Sequence, residues 1–272
     1  KRWAIAWHLF WEGAKCVADR VQFVLFQDDE KWFYSLVVRQ HNKLVPFFCC
    51  VPDSHSVHHK CHIGKVMCLV TTAFAPHNNN FESGGRAYKV DCVRIGGMVK
   101  AKKNSYRRVY RNDGTYHYPK DPVNMLRREG EEYFENWEIQ GVSEGTAKNP
   151  KFSLLKYKRE RLRMKLDALK QQITHETGKI VVLYGQTDNA PPHQAQKLKD
   201  FQNATWLFRH QPPNSPLTNV QDASVFPAMA KRVTEFQGLF NHGRYLEGEK
   251  LWEGIDTVYN EFPEETLARG YV

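Results

Sequence analysis

The stretch 180–193, I-V-V-L-Y-G-Q-T-D-N-A-P-P-H, constrains the fold of this chain most. Its β-branched beginning is too short for a helix and predicts a strand that is buried on both faces. Pro191 and Pro192 lack an N–H for a ladder, so the strand must end before them. Asp188 and Asn189 therefore fall at the carboxyl tip of a buried strand, where open α/β sheets commonly place their sites. The alternative is a turn in which Asp188 only caps a backbone group.

Hydrophobic periodicity around this stretch predicts alternating strands and helices. The predicted helices cover 2–19, 129–138 (an acidic, local one), 152–173, 192–203, a segment opened by a Thr218–Gln221 capping box, and 251–262; the predicted strands cover 21–26, 31–38, 66–74, 90–99, 180–186 and 206–210. The first two strands are expected to pair as a hairpin. Residues 78–150 are interpreted as an elaboration inserted between core elements. The order predicts an α/β protein with a mixed sheet flanked by helices, as in the ribonuclease H-like fold.

Composition narrows the class of protein. With 41% hydrophobic and 13% aromatic residues, the 272-residue chain is expected to fold rather than to be disordered. No apolar run reaches the length of a membrane span, and no signal peptide is visible. Six unevenly spaced cysteines favour a reducing compartment over a disulfide scaffold. The net charge of +9 indicates a polyanionic partner, of which nucleic acid is the commonest.

Three aspartates stand where such a fold could bring them together. Asp29 ends the first predicted strand, Asp188 ends the strand at 180–186, and Asp222 lies in the first turn of a helix. Carboxylates held close together repel one another unless a cation neutralises them, and hard oxygen ligands suit Mg²⁺ or Mn²⁺. Two such ions could activate a nucleophile and stabilise the leaving oxygen of a phosphodiester. Asp28 is a rival for the first position, and Glu30 is interpreted as a salt-bridge partner or a solvated residue.

The residues around these aspartates resemble motifs of the mariner-like transposases, especially the group found in plants. The segment 29–34, D-E-K-W-F-Y, is similar to the motif around the family's first catalytic aspartate, and 186–193, Q-T-D-N-A-P-P-H, resembles the motif around the second. The segments 211–216, Q-P-P-N-S-P, and 219–222, N-V-Q-D, are similar to the one that ends on the third. The last two aspartates are 34 positions apart, close to the family's spacing. The resemblance favours Asp29 over Asp28.

The resemblance implies a single ribonuclease H-like catalytic domain over residues 1–272, in which 78–150 is an elaboration. It implies a DNA transposase that cleaves phosphodiesters at transposon ends and transfers the freed strand, with two Mg²⁺ or Mn²⁺ ions held by Asp29, Asp188 and Asp222. The implied partner is double-stranded DNA, with a homodimer and a nuclear location as further expectations. The helix-turn-helix region with which such transposases bind terminal repeats is not found in this sequence. The alternative is a catalytically inactive, transposase-derived DNA-binding or interaction module.

Further residues are assigned supporting roles. By the resemblance, Asn189 and His193 are expected near the metal ligands or facing DNA, and Lys31 is placed with them. Basic side chains in a tyrosine-rich segment and on the helix at 152–173 are candidates for contacts to the DNA backbone, namely Lys102, Lys103, Arg107, Arg108, Lys158, Arg159, Arg161 and Arg163. A patch of histidines and cysteines allows a third hypothesis, a zinc-stabilised binding domain, although its spacing matches no usual zinc half-sites; it comprises Cys49, Cys50, His55, His58, His59, Cys61, His62 and Cys68.

Overall fold

A five-stranded mixed sheet forms the centre of the computed structural model. The structure describes residues 2–35, 64–111, 113–188, 190–194, 206–210, 219–240 and 248–272. The sheet contains β1 (Val21–Tyr34), β2 (Lys65–Pro76), β3 (Gly85–Arg94), and two later strands, Ile180–Thr187 and Trp206–His210. The strand order is Trp206–His210, Ile180–Thr187, β1, β2, β3. The first three in this order are mutually parallel, whereas β2 is antiparallel to both β1 and β3.

The prediction of a hairpin between strands 21–26 and 31–38 is wrong, because β1 runs unbroken from Val21 to Tyr34. No glycine, proline or asparagine interrupts it, and β2 pairs with it continuously from Leu25 to Tyr34. The buried carboxylates in its middle have polar partners: Asp28 pairs with Lys158, and Asp29 accepts a hydrogen bond from Asn219. Asp28 faces one side of the sheet and Asp29 the other, as strand geometry requires. Asp29 is therefore an interior residue of a long strand rather than its last residue.

Helices cover both faces of the sheet. On one face lie α1 (Arg2–Cys16), a long helix at 220–240, the helix Gly248–Asn260 and a short C-terminal helix, Glu264–Arg269. On the other lies a helix at 154–177. The helix at 154–177 contains a π-helical segment, Tyr157–Leu162. The predicted apolar faces are confirmed at most described positions, since Leu162, Leu166, Leu169 and Ile173 are buried, as are Val225, Phe226, Met229 and Val233. Leu155 and Phe236, which were predicted on the same faces, are half-buried. None of the described helices has the length and apolarity needed to span a membrane.

The strand at 180–187 is confirmed, and its packing is tight. It pairs with β1 from Val21↔Ile180 to Gln27↔Gln186, and every residue after Ile180 is buried. A side chain at Gly185 would come within 2.3 Å of the Phe26 ring and 2.7 Å of the Phe208 ring. A residue without a Cβ is therefore required where these rings from both neighbouring strands meet. The predicted helix at 192–203 is described only over its first turn, Pro191–Gln194.

The boundary of the predicted elaboration needs correction. Residues 85–94 form β3, an edge strand of the central sheet, so the region outside the sheet begins after Arg94. This region starts as a ribbon in which β4 (Gly96–Lys100) pairs with the strand Glu132–Asn136. The helix predicted at 129–138 is therefore wrong. Two of its glutamates flank Tyr133 and Phe134 in a strand whose pairing partner lies more than thirty residues earlier in the chain.

Candidate functional site

Asp29 and Asp222 are brought together by Asn219. The amide nitrogen of Asn219 donates to Asp29 Oδ2 at 2.5 Å and to Asp222 Oδ2 at 3.3 Å. Asp29 is buried in the middle of β1, and Asp222 lies in the first turn of the helix at 220–240. The expectation that strand β1 and this helix deliver two carboxylates to one place therefore agrees with the geometry. A neutral amide therefore lies between the two carboxylates.

Side-chain amides dock the start of that helix on β1. Gln27 Oε1 accepts a hydrogen bond from the backbone N–H of Val220, and the Gln221 amide donates to the Gln27 carbonyl and to Thr72 Oγ1. Asn219 Oδ1 accepts from the Gln221 N–H, which is the bond expected of an N-cap. The predicted capping box of Thr218 and Gln221 cannot be compared, because Thr218 lies outside the described residues; the Gln221 amide nitrogen is used against the sheet.

Asp188 belongs to a second group, which sequence reasoning missed. His193 Nε2 lies 3.0 Å from Glu30 Oε1 and 3.5 Å from Asp188 Oδ1, and His193 Nδ1 shares a hydrogen bond with Thr187 Oγ1. Glu30, Asp188 and His193 could together offer one ligand atom each to a metal ion. Of the two alternatives predicted for Glu30, the ion-pair partner is therefore confirmed and the solvated residue is wrong. His193 was expected beside Asp188, whereas the only sequence signal for Glu30 was its position next to Asp29.

The two groups adjoin without merging into one cluster. Asp29 and Glu30 are consecutive residues of β1, so their side chains leave opposite faces of the strand. Among the described residues, the Asp188 carboxylate lies with Glu30 and His193, and Asp29 lies with Asp222. Asp188 is tied by a bond from the Ala190 N–H and keeps 34% of its side chain exposed. Asn189, the other polar residue predicted at this tip, lies outside the described residues.

Electrostatics show that the site disfavours negative charge without a counter-ion. Burial raises the pKa of Asp29 to about 7; the Asn219 hydrogen bond opposes this rise, and the charges of Glu30 and Asp222 add to it. For His193 the largest influence is burial, which lowers its pKa, but the hydrogen bond and charge of Glu30 outweigh it and raise the pKa above the usual value. A clustered, partly desolvated set of carboxylate oxygens and one imidazole is chemistry that a divalent cation would stabilise. The residues therefore fit the expected metal.

Asp28, the rival of Asp29, has a different partner. Its carboxylate lies 3.0 Å from the Lys158 ammonium, and both side chains are almost completely buried. Lys158 also lies 4.7 Å from the centre of the Phe208 ring. The prediction that Lys158 contacts the DNA backbone is therefore wrong, because its ammonium group is buried in an ion pair with Asp28. The pair leaves Asp29, on the opposite face, as the aspartate available to the site.

The other predicted basic residues divide into engaged and exposed ones. Arg161 makes two hydrogen bonds to the buried Asp91, at 2.7 and 3.0 Å, so its guanidinium is largely committed to the fold. Lys31 is half-buried, with its ammonium 5.5 Å from the ring of Phe226. The remaining candidates are exposed, which keeps them compatible with DNA contact: Lys102, Lys103, Arg107, Arg108, Arg159 and Arg163.

The zinc hypothesis receives no support from the part of the chain that can be described. Residues 49–62, which hold seven of the eight candidate ligands, lie outside the described residues. Cys68, the eighth, is fully buried in β2. A side-chain hydrogen bond with Cys68 is the largest cause that raises the pKa of Cys92, and burial is the next. Cys68 is therefore a core residue facing another cysteine rather than a ligand on a loop.

No protein-family model and no curated protein matches this sequence. Among solved structures, the chain is similar to a pre-cleavage Mos1 transpososome and to the Mos1 mariner paired end complex with Mn. Both have a TM-score of 0.49 and 13% identity, and the alignments cover 97% of this chain and 56% and 55% of the respective chains. The chain is also similar to the Mos1 transposase paired-end complex with the left transposon end, with a TM-score of 0.43 and 14% sequence identity. The chain thus spans just over half the length of these proteins.

Proposed function

We infer that this chain is the catalytic domain of a mariner-like transposase with a ribonuclease H-like fold, which cleaves DNA phosphodiesters and transfers the freed strand. The observation that carries the proposal is the meeting of Asp29 and Asp222 around Asn219, next to the strand that delivers Asp188. Sequence motifs around the same three aspartates support it. The order of the sheet supports the fold. On one side of β1, each strand is antiparallel to its neighbour; on the other side, the two strands are parallel to β1.

The register of the sheet supports the placement of the third carboxylate. Gln27 of β1 pairs with Gln186 in parallel, so Asp29 and Asp188 each lie two residues beyond the same paired position. Parallel strands present their carboxyl ends at the same edge of a sheet. Asp188 is partly exposed and follows the last strand residue, and the proposal requires its side chain to turn from His193 towards Asp29. In this proposal Asp29, Asp188 and Asp222 hold the divalent ions.

The chain's own residues would prepare the site for in-line displacement. Bound Mg²⁺ or Mn²⁺ would lower the pKa of the attacking water or 3′-hydroxyl and neutralise charge on the phosphate. Asn219 positions Asp29 and Asp222, and the amides of Gln27 and Gln221 fix the helix that carries Asp222. His193, oriented by Thr187 and Glu30, would hold Asp188 until the ligands assemble. Burial of Asp29 strengthens its attraction to a cation because nearby water is excluded.

The exposed basic side chains would bind the DNA backbone by neutralising phosphates. Arg159 and Arg163 belong to one helix, and Lys102, Lys103, Arg107 and Arg108 belong to the ribbon after β4. The partner proposed is double-stranded DNA, at transposon ends and at the target. A homodimer and a nuclear location complete the proposal and follow from the proposed activity alone.

Plasmid nicking tests the proposed activity. Wild-type protein is expected to nick supercoiled DNA only with Mg²⁺ or Mn²⁺, and Asp188→Ala is expected to abolish nicking because a metal ligand is lost. Asp19→Asn, which changes an exposed aspartate in the turn before β1, is the matched control and should behave as wild type. Equal nicking by wild type and Asp188→Ala, or no nicking by either, would instead favour the inactive, transposase-derived module.

A further inference from the structure

The region after β4 is a long, interrupted β-ribbon. Three antiparallel ladders are nested within it: Gly96–Lys100 with Glu132–Asn136, Ser105–Tyr106 with Met125–Arg127, and Val109–Tyr110 with Tyr116–His117. The last of these ladders, at the tip of the ribbon, is closed by a tight turn. In this turn the Asp113 carboxylate accepts hydrogen bonds from the N–H and the hydroxyl of Thr115. Gly114 has a φ of +83°, a conformation that glycine adopts without strain. The tip of the ribbon is therefore a defined hairpin.

One face of this tip hairpin consists of three tyrosines and an arginine. Tyr110 is directly opposite Tyr116, and Tyr118 follows two residues later on the same face. The guanidinium of Arg108 lies 4.3 Å from the centre of the Tyr116 ring and donates to the hydroxyls of Tyr118 and Tyr110. The rings meet edge to face, with centroids 6.1 Å apart for Tyr110 and Tyr116 and 5.8 Å apart for Tyr116 and Tyr118. These four residues form the tyrosine face.

The tyrosine face is open to solvent. Tyr110, Tyr116 and Tyr118 are 65%, 51% and 50% exposed. Cross-strand aromatic pairs do stabilise a short hairpin, and that contribution accounts for the contacts between the rings. It does not require half or more of each tyrosine to remain exposed to water. Because the edge-to-face arrangement turns the rings against one another by 64° and 81°, they present both faces and edges outward.

The distal part of the ribbon is strongly basic, whereas four glutamates follow it, so that the whole ribbon, 96–136, has a net charge of +3. Residues 100–128 contain nine lysines and arginines and two aspartates, a net charge of +7, against +9 for the whole chain. Neither aspartate neutralises the charge at the tyrosine face. Asp113 accepts hydrogen bonds within the tip turn, and Asp121 accepts one from the backbone N–H of Asn124. A polyanion is the complementary partner of such a segment. Phosphate neutralisation alone would not require the tyrosines, so the partner must also offer flat apolar surfaces.

We propose that the tyrosine face binds single-stranded DNA by stacking on unpaired bases while the surrounding lysines and arginines contact its phosphates. Exposed aromatic rings within a basic surface are the usual means of binding single strands, because every base has a face on which a ring can stack. Paired bases inside a duplex offer no such face, since their neighbours cover it. The site is separate from the carboxylates and does not depend on the proposed catalytic activity.

Fluorescence anisotropy in EDTA tests the proposal with the full chain. The probes are a labelled oligothymidylate of about 20 nucleotides and a mixed-sequence duplex of the same length. Tyr116→Thr and Tyr118→Thr keep a residue suited to a strand but remove the ring. Each is expected to weaken binding of the single strand about tenfold or more and to leave duplex binding unchanged. Tyr116→Phe retains the ring and should bind as wild type, as should Tyr34→Thr, which removes an exposed tyrosine outside the ribbon.

Equal weakening of both probes would show that the ribbon contacts only phosphates, and unchanged binding of the single strand would remove the site altogether. Loss of the hairpin in the threonine variants is bypassed by photocrosslinking wild-type protein to a single strand that contains 5-iodouracil. Mass spectrometry is expected to map the adducts to Tyr110, Tyr116 or Tyr118. Adducts confined to other parts of the chain would overturn the proposal. Failure of plasmid nicking would leave both measurements intact, because neither requires a metal.

Discussion

Asp29 is held in surroundings that favour its neutral form. It is buried in β1, accepts a hydrogen bond from Asn219 and lies near the charges of Glu30 and Asp222. The metal-free fold therefore stores an electrostatic cost at this position, which a bound cation would relieve. Functional sites commonly contain groups whose pKa is displaced in this way by burial and neighbouring charge.

This cost predicts how stability depends on pH. The pKa of Asp29 is about 7 in the folded protein against 3.8 for an ordinary aspartate, so between these values the folded state holds a proton that the unfolded chain has lost. The free energy of unfolding should therefore fall as pH rises through this range. Asp29→Asn should remove this decrease in the free energy of unfolding. Above pH 7 it should stabilise the metal-free protein by about 2–4 kcal/mol.

Urea unfolding in EDTA across this pH range measures the effect. Asp19→Asn, at an exposed position, should follow the wild-type curve. If Asp29→Asn runs parallel to wild type at every pH, the carboxyl group of Asp29 is not held in its neutral form by the fold.

At single positions, sequence reasoning found the residues that belong to motifs and missed their neighbours. Asn219 precedes the first helical residue, and the preference of asparagine for the N-cap was a usable signal. Its second role, bridging Asp29 and Asp222, depends on a contact 190 residues away in sequence. The pairing of Glu30 with His193 spans 163 residues and likewise has no local signature. Lys158 was misassigned because an ion pair with Asp28 cannot be read from the charge pattern of one helix.

Among the elements, the helix at 154–177 carries a buried ion pair against the underside of β1. Lys158 lies in its π-helical segment, and its ammonium is 3.0 Å from the Asp28 carboxylate. Asp28 is next to Asp29, so this contact fixes the strand at the point where it carries the site. A buried pair contributes little compared with apolar residues of the same shape, but either charge left alone is costly.

The pair can therefore be tested by a double-mutant cycle. Lys158→Met should destabilise the protein by about 3–5 kcal/mol, because the Asp28 carboxylate is left buried without its cation. Adding Asp28→Asn should recover much of the loss. Lys165→Met, at an exposed position of the same helix, is the matched control and should change little. Additive effects of the two changes, measured by urea unfolding, would show that the two charges do not stabilise one another.

Elements with strong local patterns were predicted well, and those defined by distant pairing were not. The strands at 180–187 and 206–210 are bounded by prolines or polar turns, which are local signals. β1 was divided in two because an acidic run resembles a turn when its partners are unknown. Residues 132–136 were assigned to a helix because their charge pattern is locally helical, whereas pairing with β4 decides the outcome.

At the level of the whole molecule, the mixed sheet brings distant segments close together. The middle of β1, the end of the strand at 180–187 and the start of the helix at 220–240 carry Asp29, Asp188 and Asp222 in two adjoining groups, and the basic ribbon extends from another part of the same chain. The general architecture was predictable from the order of elements. The division of the acidic residues into two groups was not, because it is set by side-chain contacts with Asn219 and His193.

Titration of Mn²⁺ into the metal-free protein, followed by calorimetry, tests most directly whether the three aspartates share divalent ions. Asp29→Asn, Asp188→Asn and Asp222→Asn are each predicted to weaken binding by more than about tenfold, while Asp19→Asn binds as wild type. If Asp29→Asn and Asp222→Asn bind as tightly as wild type and only Asp188→Asn and Glu30→Gln lose affinity, the ion belongs to the Glu30–Asp188–His193 group, and the three-aspartate site is contradicted.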